Sequence, residues 1–201
     1  MSAIRSICVY CGSSSGNHPD YTAAAVVLGT AIANAGLTLV YGGGTTGIMG
    51  TVSNAALDAG GNVVGIIPEF LLPKETSGHR KKPLTELIVT KDMHERKHIL
   101  FERSDAFVAM PGGIGTVEEI IEVMTWGQLG RHSKPMAFGN INGFWNPMIT
   151  LINHMKSEGF IHTGHLVNPL VFDTAGEIVR GIMAAAKLQH NDVSKATIEN
   201  L

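Results

Sequence analysis

Short, almost wholly apolar runs recur along the chain at 4–10, 37–41, 62–67, 105–110 and 135–139. Each is separated from the next by a segment in which apolar residues return three or four positions apart, the spacing of one face of a helix. Strands alternating with helices in this way predict a parallel sheet, because parallel neighbours need a crossover between them. Runs this continuously apolar fit strands buried on both faces. The expected fold is therefore α/β, a Rossmann-like doubly wound parallel sheet with helices on both sides, and ligands belong at the C-terminal ends of its strands.

Local signals place several helix ends. Pro19 sits where a first helical turn tolerates proline, opening a helix from about 19 to 35, and Asn142-Gly143 precede one running to about Glu158. Asp92 and Glu95 have capping-box spacing, as do Thr116 and Glu119, while Gly36 and Gly159 fall where helices end on glycine. Between 68 and 91 the periodicity breaks around Pro73, Gly78, Pro83 and the basic cluster Arg80-Lys81-Lys82, which reads as a lid or substrate loop. After Leu188 the chain turns polar. The expected organisation is one domain over 1–188 and a polar, frayed tail over 189–201.

At 201 residues and 44% hydrophobic content the chain can bury a continuous core as a single domain. No run approaches the ~20 apolar residues of a membrane span, and the stretch from Met1 to Arg5 enters a strand without signal-peptide zones. A cytoplasmic protein without membrane contact is expected. The formal net charge of -2 provides no electrostatic footprint for nucleic acid. The two cysteines, Cys8 and Cys11, have redox-pair spacing but lie along a strand, where positions three apart face opposite sides; two reduced thiols are expected.

Candidate chemistry concentrates at strand ends. Pro111-Gly112-Gly113-Ile114-Gly115-Thr116 follows the fourth apolar run and opens a helix, so its backbone can approach an anion and its first amides lack intrahelical acceptors. Tyr41-Gly42-Gly43-Gly44-Thr45-Thr46-Gly47 repeats the arrangement, and Cys11-Gly12-Ser13-Ser14-Ser15-Gly16 ends the first strand. Gly42, Gly44 and Gly47 formally match a dinucleotide fingerprint, but that fingerprint belongs to the first strand. Walls of a single cleft for one phosphorylated ligand explain the loops better than hydride chemistry or mere tight turns.

His94-Glu95-Arg96-Lys97-His98 satisfies the helical zinc pattern HExxH. Two cationic side chains stand between the histidines and would oppose a divalent ion, so the expectation is no metal and a solvated face for His94 and His98. Arg96 is the more informative residue, a planar fork suited to phosphosugar oxygens. Glu118, Glu119 and Glu122 open the helix after Thr116. Acids there favour the helix dipole, and Glu119 reads either as a cap or as a catalytic carboxylate.

Met93-His94-Glu95-Arg96-Lys97 followed by Pro111-Gly112-Gly113-Ile114-Gly115-Thr116-Val117-Glu118-Glu119 resembles the LONELY GUY family, cytokinin riboside 5'-monophosphate phosphoribohydrolases often misannotated as lysine decarboxylases. The resemblance extends from Ile7-Cys8-Val9-Tyr10-Cys11-Gly12-Ser13-Ser14 through Gly47-Ile48-Met49-Gly50 to Glu158-Gly159-Phe160. It implies hydrolysis of the N-glycosidic bond of AMP or an N6-modified AMP to free base and ribose 5-phosphate, without a cofactor. Carried over by motif, Arg96 and Glu119 are the catalytic pair. Ser13, Gly43, Gly44, Thr45, Met93, Lys97, Gly112, Gly113, Ile114, Gly115 and Thr116 bind substrate, and Glu75 is a further contact. The stretch from Thr76 to Pro83 is longer and more basic than the family's usual connection, which leaves base preference open.

The resemblance also implies a homodimer or larger homo-oligomer, and Ile120, Ile121, Met124 and Trp126 offer apolar surface for it unless both faces of their helix pack internally. The alternative from another class is a non-catalytic carrier of a nucleotide or phosphorylated cofactor. Lysine decarboxylation fits poorly, because it needs a pyridoxal-bearing lysine and none stands in a recognisable cofactor context.

Overall fold

The computed structural model describes residues 4–77, 82–161 and 168–198, the last ten as backbone only. Among the described residues, seven strands form one all-parallel sheet: β1 (Ser6–Tyr10), β2 (Thr38–Tyr41), β3 (Val63–Pro68), β4 (Glu86–Thr90), β5 (Ala106–Ala109), β6 (Met136–Gly139) and β7 (Leu170–Phe172). Their order is β4-β3-β2-β1-β5-β6-β7, so the direction of winding reverses between β1 and β5. A doubly wound sheet opens a crevice at such a reversal. The α/β reading of the sequence holds.

Alternation along each strand divides the core in two. Ile7 and Val9 join Ala25, Leu28 and Ile32 of α1 (Pro19–Asn34), Ile48 and Val52 of α2 (Gly47–Asp58), and Ile178 and Ile182 of α7 (Ala175–Ile198). Cys8 and Tyr10 face the other way, against Leu100 of α4 (Met93–Glu102), Ile120 and Val123 of α5 (Ile114–Gln128) and Ile152 of α6 (Asn146–Ser157). Cys8 and Cys11 consequently lie in different halves of the core, both buried and free. Burial raises both thiols above their ordinary values. They serve as small apolar residues.

The two strands that flank the crevice are pinned at both ends. At the base, Asp105 Oδ2 accepts hydrogen bonds from Ser6 N at 3.1 Å and Ser6 Oγ at 3.1 Å. At the top, Met110 N donates to Tyr10 O at 2.9 Å and Gly12 N to Pro111 O at 3.1 Å, continuing the ladder into the two loops. The loops after β1 and β5 are thereby fixed side by side.

Helix boundaries follow their expected signals in part. Pro19 lies in the first turn of α1, and Gly36 and Gly159 adopt positive φ just beyond their helices. Asp92 caps α4 by accepting from Glu95 N at 2.9 Å, while Glu95 Oε2 accepts from Lys91 N at 2.8 Å. Thr116 caps nothing: α5 begins earlier, at Ile114, with Gly113 at its N-cap and no side-chain bond there. Before α6, Asn142 takes φ 53° in a tight turn, and the helix starts after Trp145, whose N–H is held by Asn140 Oδ1 at 2.8 Å.

Several expectations need correction. The stretch 68–91 is not one long loop, since it holds a short helix α3 (Leu72–Glu75) and the edge strand β4. Lys82 of its basic cluster docks on the end of α2, donating to Leu57 O at 3.1 Å; residues 78–81 lie outside the described residues. Helix α7 itself runs on past Leu188 to Ile198, through a segment that lacks glycine and proline. Ile120 and Met124 are buried in the chain's own core, and Ile121 and Trp126 are half-buried. Among the described residues no helix is long and apolar enough to cross a membrane.

Candidate active site

A cleft of about 300 Å³ opens at the reversal between β1 and β5. Its floor is Tyr10, Cys11 and Gly12 at the end of β1, with Ser13 beside them. Gly113, Ile114, Gly115 and Thr116 form one side, and Gly42, Met49 and Glu75 come from the side of β2. Because no side chain caps α5, the first amides of that helix are free to meet an anion in the cleft.

Arg96 enters from α4 and is 6% exposed. Its Nε donates to Ile66 O within β3 at 3.2 Å and its Nη2 to Gly42 O just after β2 at 3.2 Å, so two backbone carbonyls fix the guanidinium plane. A Cβ on Gly42 would overlap Nη2, which explains a glycine at that position. The remaining nitrogen, Nη1, lies 3.6 Å from Glu119 Oε1 and 3.8 Å from Met93 Sδ. The fork is held from behind and turned toward the cleft.

Glu119 is 9% exposed and reaches the cleft from the second turn of α5. Burial pushes its carboxyl up to about 7, outweighing the opposing pull of Arg96. The residue is not a cap. Thr116, one turn earlier, packs against Gly112, whose own Cβ would overlap the threonine hydroxyl and approach Gly12 N. That close approach lets the β5 loop lie against the β1 loop.

Of the residues named from the sequence, Ser13, Glu75, Met93, Arg96, Gly113, Ile114, Gly115, Thr116 and Glu119 are brought together in the cleft. Gly43, Gly44, Thr45, Lys97 and Gly112 stand behind or beside its lining. Thr45 N and Oγ1 both donate to Glu75 O, at 2.7 and 3.1 Å, which ties the β2 loop to α3. Lys97 Nζ sits 2.5 Å from Glu118 Oε1 and 3.0 Å from Glu122 Oε1. Burial alone would lower that ammonium, but the two carboxylates outweigh it and hold it above its ordinary value. Met49 and Tyr10 also line the cleft, although site reasoning on the sequence did not single them out.

His94 and His98 are exposed, and Glu95 is engaged at the start of α4, so the HExxH spacing serves a solvated helix face. No lysine lines the cleft among the described residues, and Lys97 beside it is held by two carboxylates. An imine-forming lysine is the group that pyridoxal-dependent decarboxylation requires. The residues present do not fit it.

Fold and site together define a Rossmann-like α/β protein with a glycine-walled cleft in which a guanidinium and a buried carboxyl converge. The chain is 44% identical over 183 residues to the probable cytokinin riboside 5'-monophosphate phosphoribohydrolase LOG4 of Oryza sativa subsp. japonica, covering 91% of this chain and 78% of that protein. It is 45% identical over 160 residues to the cytokinin riboside 5'-monophosphate phosphoribohydrolase LOG1 of Arabidopsis thaliana, covering 80% and 74%. The chain belongs to the LOG family. A family model described as "Possible lysine decarboxylase" matches residues 49–182. Among solved structures, the structural-genomics protein TM1055 is similar with a TM-score of 0.68 and 26% identity, covering 89% of this chain and 98% of that one. The Moco carrier protein of Chlamydomonas reinhardtii has a TM-score of 0.67 over 92% and 98% of the two chains; at 20% identity that likeness is one of fold alone.

Proposed function

We propose that this protein hydrolyses the N-glycosidic bond of AMP or an N6-substituted AMP, releasing free base and ribose 5-phosphate. The observation that carries the reading is the buried Arg96–Glu119 pair beside the uncapped amides of α5. Those amides and the helix dipole suit a phosphate. Departure of the base builds positive charge on the ribose ring, which a carboxylate stabilises while taking a proton from the attacking water. With its carboxyl near 7, Glu119 has substantial carboxylate at neutral pH and is still basic enough to accept that proton. Arg96 orients the phosphosugar and Glu119 itself.

The family relationship supports this reading over a carrier, since the named relatives are phosphoribohydrolases and the Moco carrier shares only the fold. A homodimer or larger assembly belongs to the same proposal. Ile114, 89% exposed at the cleft rim, is an apolar side chain that a second subunit would cover. A cytoplasmic setting suits the two free thiols.

The deciding experiment measures base release from AMP and from adenosine. AMP is expected to be turned over, and adenosine at saturation to react at least about a hundredfold more slowly, because phosphate anchoring contributes to the transition state as well as to binding. Equal rates would show that the phosphate cradle is misplaced. Tight AMP binding without base release would establish the carrier.

A further inference from the structure

Glu75 presents a feature that the Arg96–Glu119 chemistry does not use. Its Oε2 is buried yet has no hydrogen-bond partner, although the residue lines the cleft. A buried carboxyl oxygen left unpaired is costly, and such an atom facing a binding cleft calls for a partner from the ligand. The side chain is positioned from its own backbone: Thr45 N and Oγ1 both donate to Glu75 O. Burial raises its carboxyl above the ordinary value, against the pull of Arg96.

Sheet order gives Glu75 a direction. Glu119 and the α5 amides lie on the β5 side of β1, whereas Gly42, Met49 and Glu75 lie on the β2 side, and Arg96 bridges the two through Gly42 O and Glu119. A nucleotide with its phosphate on the α5 amides would have Met49, Met93 and Glu75 within the same cleft, across β1, to receive its base. The methionines provide polarizable apolar surface for a flat ring. Among the described residues Glu75 is the acidic member of the lining on that side.

We propose that Glu75 is the general acid that protonates the departing purine, an inference that rests on the hydrolase reading above. The C1'–N9 bond breaks with its electron pair going to the base while the Glu75 carboxyl delivers its proton to a ring nitrogen. Water then forms the new C1'–O bond and gives a proton to Glu119. Solvent returns a proton to Glu75 and takes one from Glu119, so the net reaction consumes one water and no other reagent.

The test compares leaving groups in Glu75→Gln, whose main-chain anchor to Thr45 is unchanged. One probe is AMP, whose base needs protonation. The other is whichever of nicotinamide ribose 5'-phosphate or an N7-methylated purine ribose 5'-phosphate the wild type cleaves faster, since both bases leave without a proton. Glu75→Gln is expected to lower kcat on AMP about a hundredfold or more and to leave kcat on the second probe within about twofold, at wild-type Tm. Glu75→Asp should recover part of the AMP rate. Undiminished AMP turnover in Glu75→Gln, or equal losses on both probes, would overturn the assignment while leaving the hydrolase reading intact. A wild type that cleaves neither the AMP bond nor that of the second probe would sink both.

Discussion

The loop after β5 and the loop after β2 are both glycine runs that lead a strand into a helix, and they do different work. The β5 loop lines the cleft with Gly113, Ile114, Gly115 and Thr116, ahead of an uncapped helix. The β2 loop contributes Gly42 to the lining, and that glycine also accepts from Arg96. Behind it, Gly43 and Gly44 are buried, and Thr45 is bonded to Glu75 O. One loop turns the uncapped start of α5 toward the cleft; the other seats the Arg96 guanidinium. Glycine enrichment in a sequence therefore marks close approach without saying whether the approaching group is a ligand or the protein itself.

The contrast breaks most visibly at Glu119. Glu119→Gln is expected to lower kcat on AMP by about two to four orders of magnitude while AMP still binds, the range for removing a general base. Retained turnover would return Glu119 to a structural role. The same variant has a stability signature whose sign follows from burial. Because the folded-state carboxyl lies near 7, above its ordinary 4.5, the stability linked to its protonation is present at low pH and lost as pH rises through about 7. Glutamine stays neutral, so Glu119→Gln should be more stable than wild type at pH 8.5, by up to about 3 kcal/mol. The advantage should shrink toward pH 5, where Arg96 faces a neutral group in both proteins. Thermal melts across that range check it.

Next in size is Gly42→Ala, which tests the supporting duty of the β2 loop. The added methyl would overlap Arg96 Nη2 and stand 3.1 Å from Met49 Sδ. Displacing the guanidinium should lower kcat/KM for AMP about ten- to a hundredfold and cost about 1–3 kcal/mol of stability from overpacking. Unchanged kinetics would mean that the position of Arg96 is not critical.

How far the sequence foretold this arrangement depended on the kind of signal. The five central strands were legible because burial on both faces writes a continuous apolar run. β4 and β7 were not: each is a sheet edge, and their exposed or half-buried residues, such as Glu86, Leu87 and Val171, make no such run. Arg96 and Glu119 stood out through their motifs, but their 3.6 Å approach joins residues on two helices and could not be read from spacing. Likewise, nothing in a glycine run foretells that the Thr45 hydroxyl donates to a carbonyl of α3, and Met49 looks like ordinary helix core until α2 is placed beside the cleft.

The smallest effect sharpens the comparison from the ligand side. Gly113 is the N-cap of α5 with φ -91°, and a Cβ built there meets nothing within 4 Å. Gly113→Ala should therefore fold about as well as wild type, alanine's restriction of the unfolded chain offsetting its poorer fit at an N-cap. Its methyl nevertheless stands at the mouth of the helix whose amides are assigned to phosphate. The expected result is a rise in KM for AMP of about three- to tenfold, equivalent to roughly 1 kcal/mol, with kcat nearly unchanged because Arg96 and Glu119 are undisturbed. An unaltered KM would move the phosphate away from the β5 loop, and a reduced Tm would mean that this loop, like its counterpart after β2, is packed against protein.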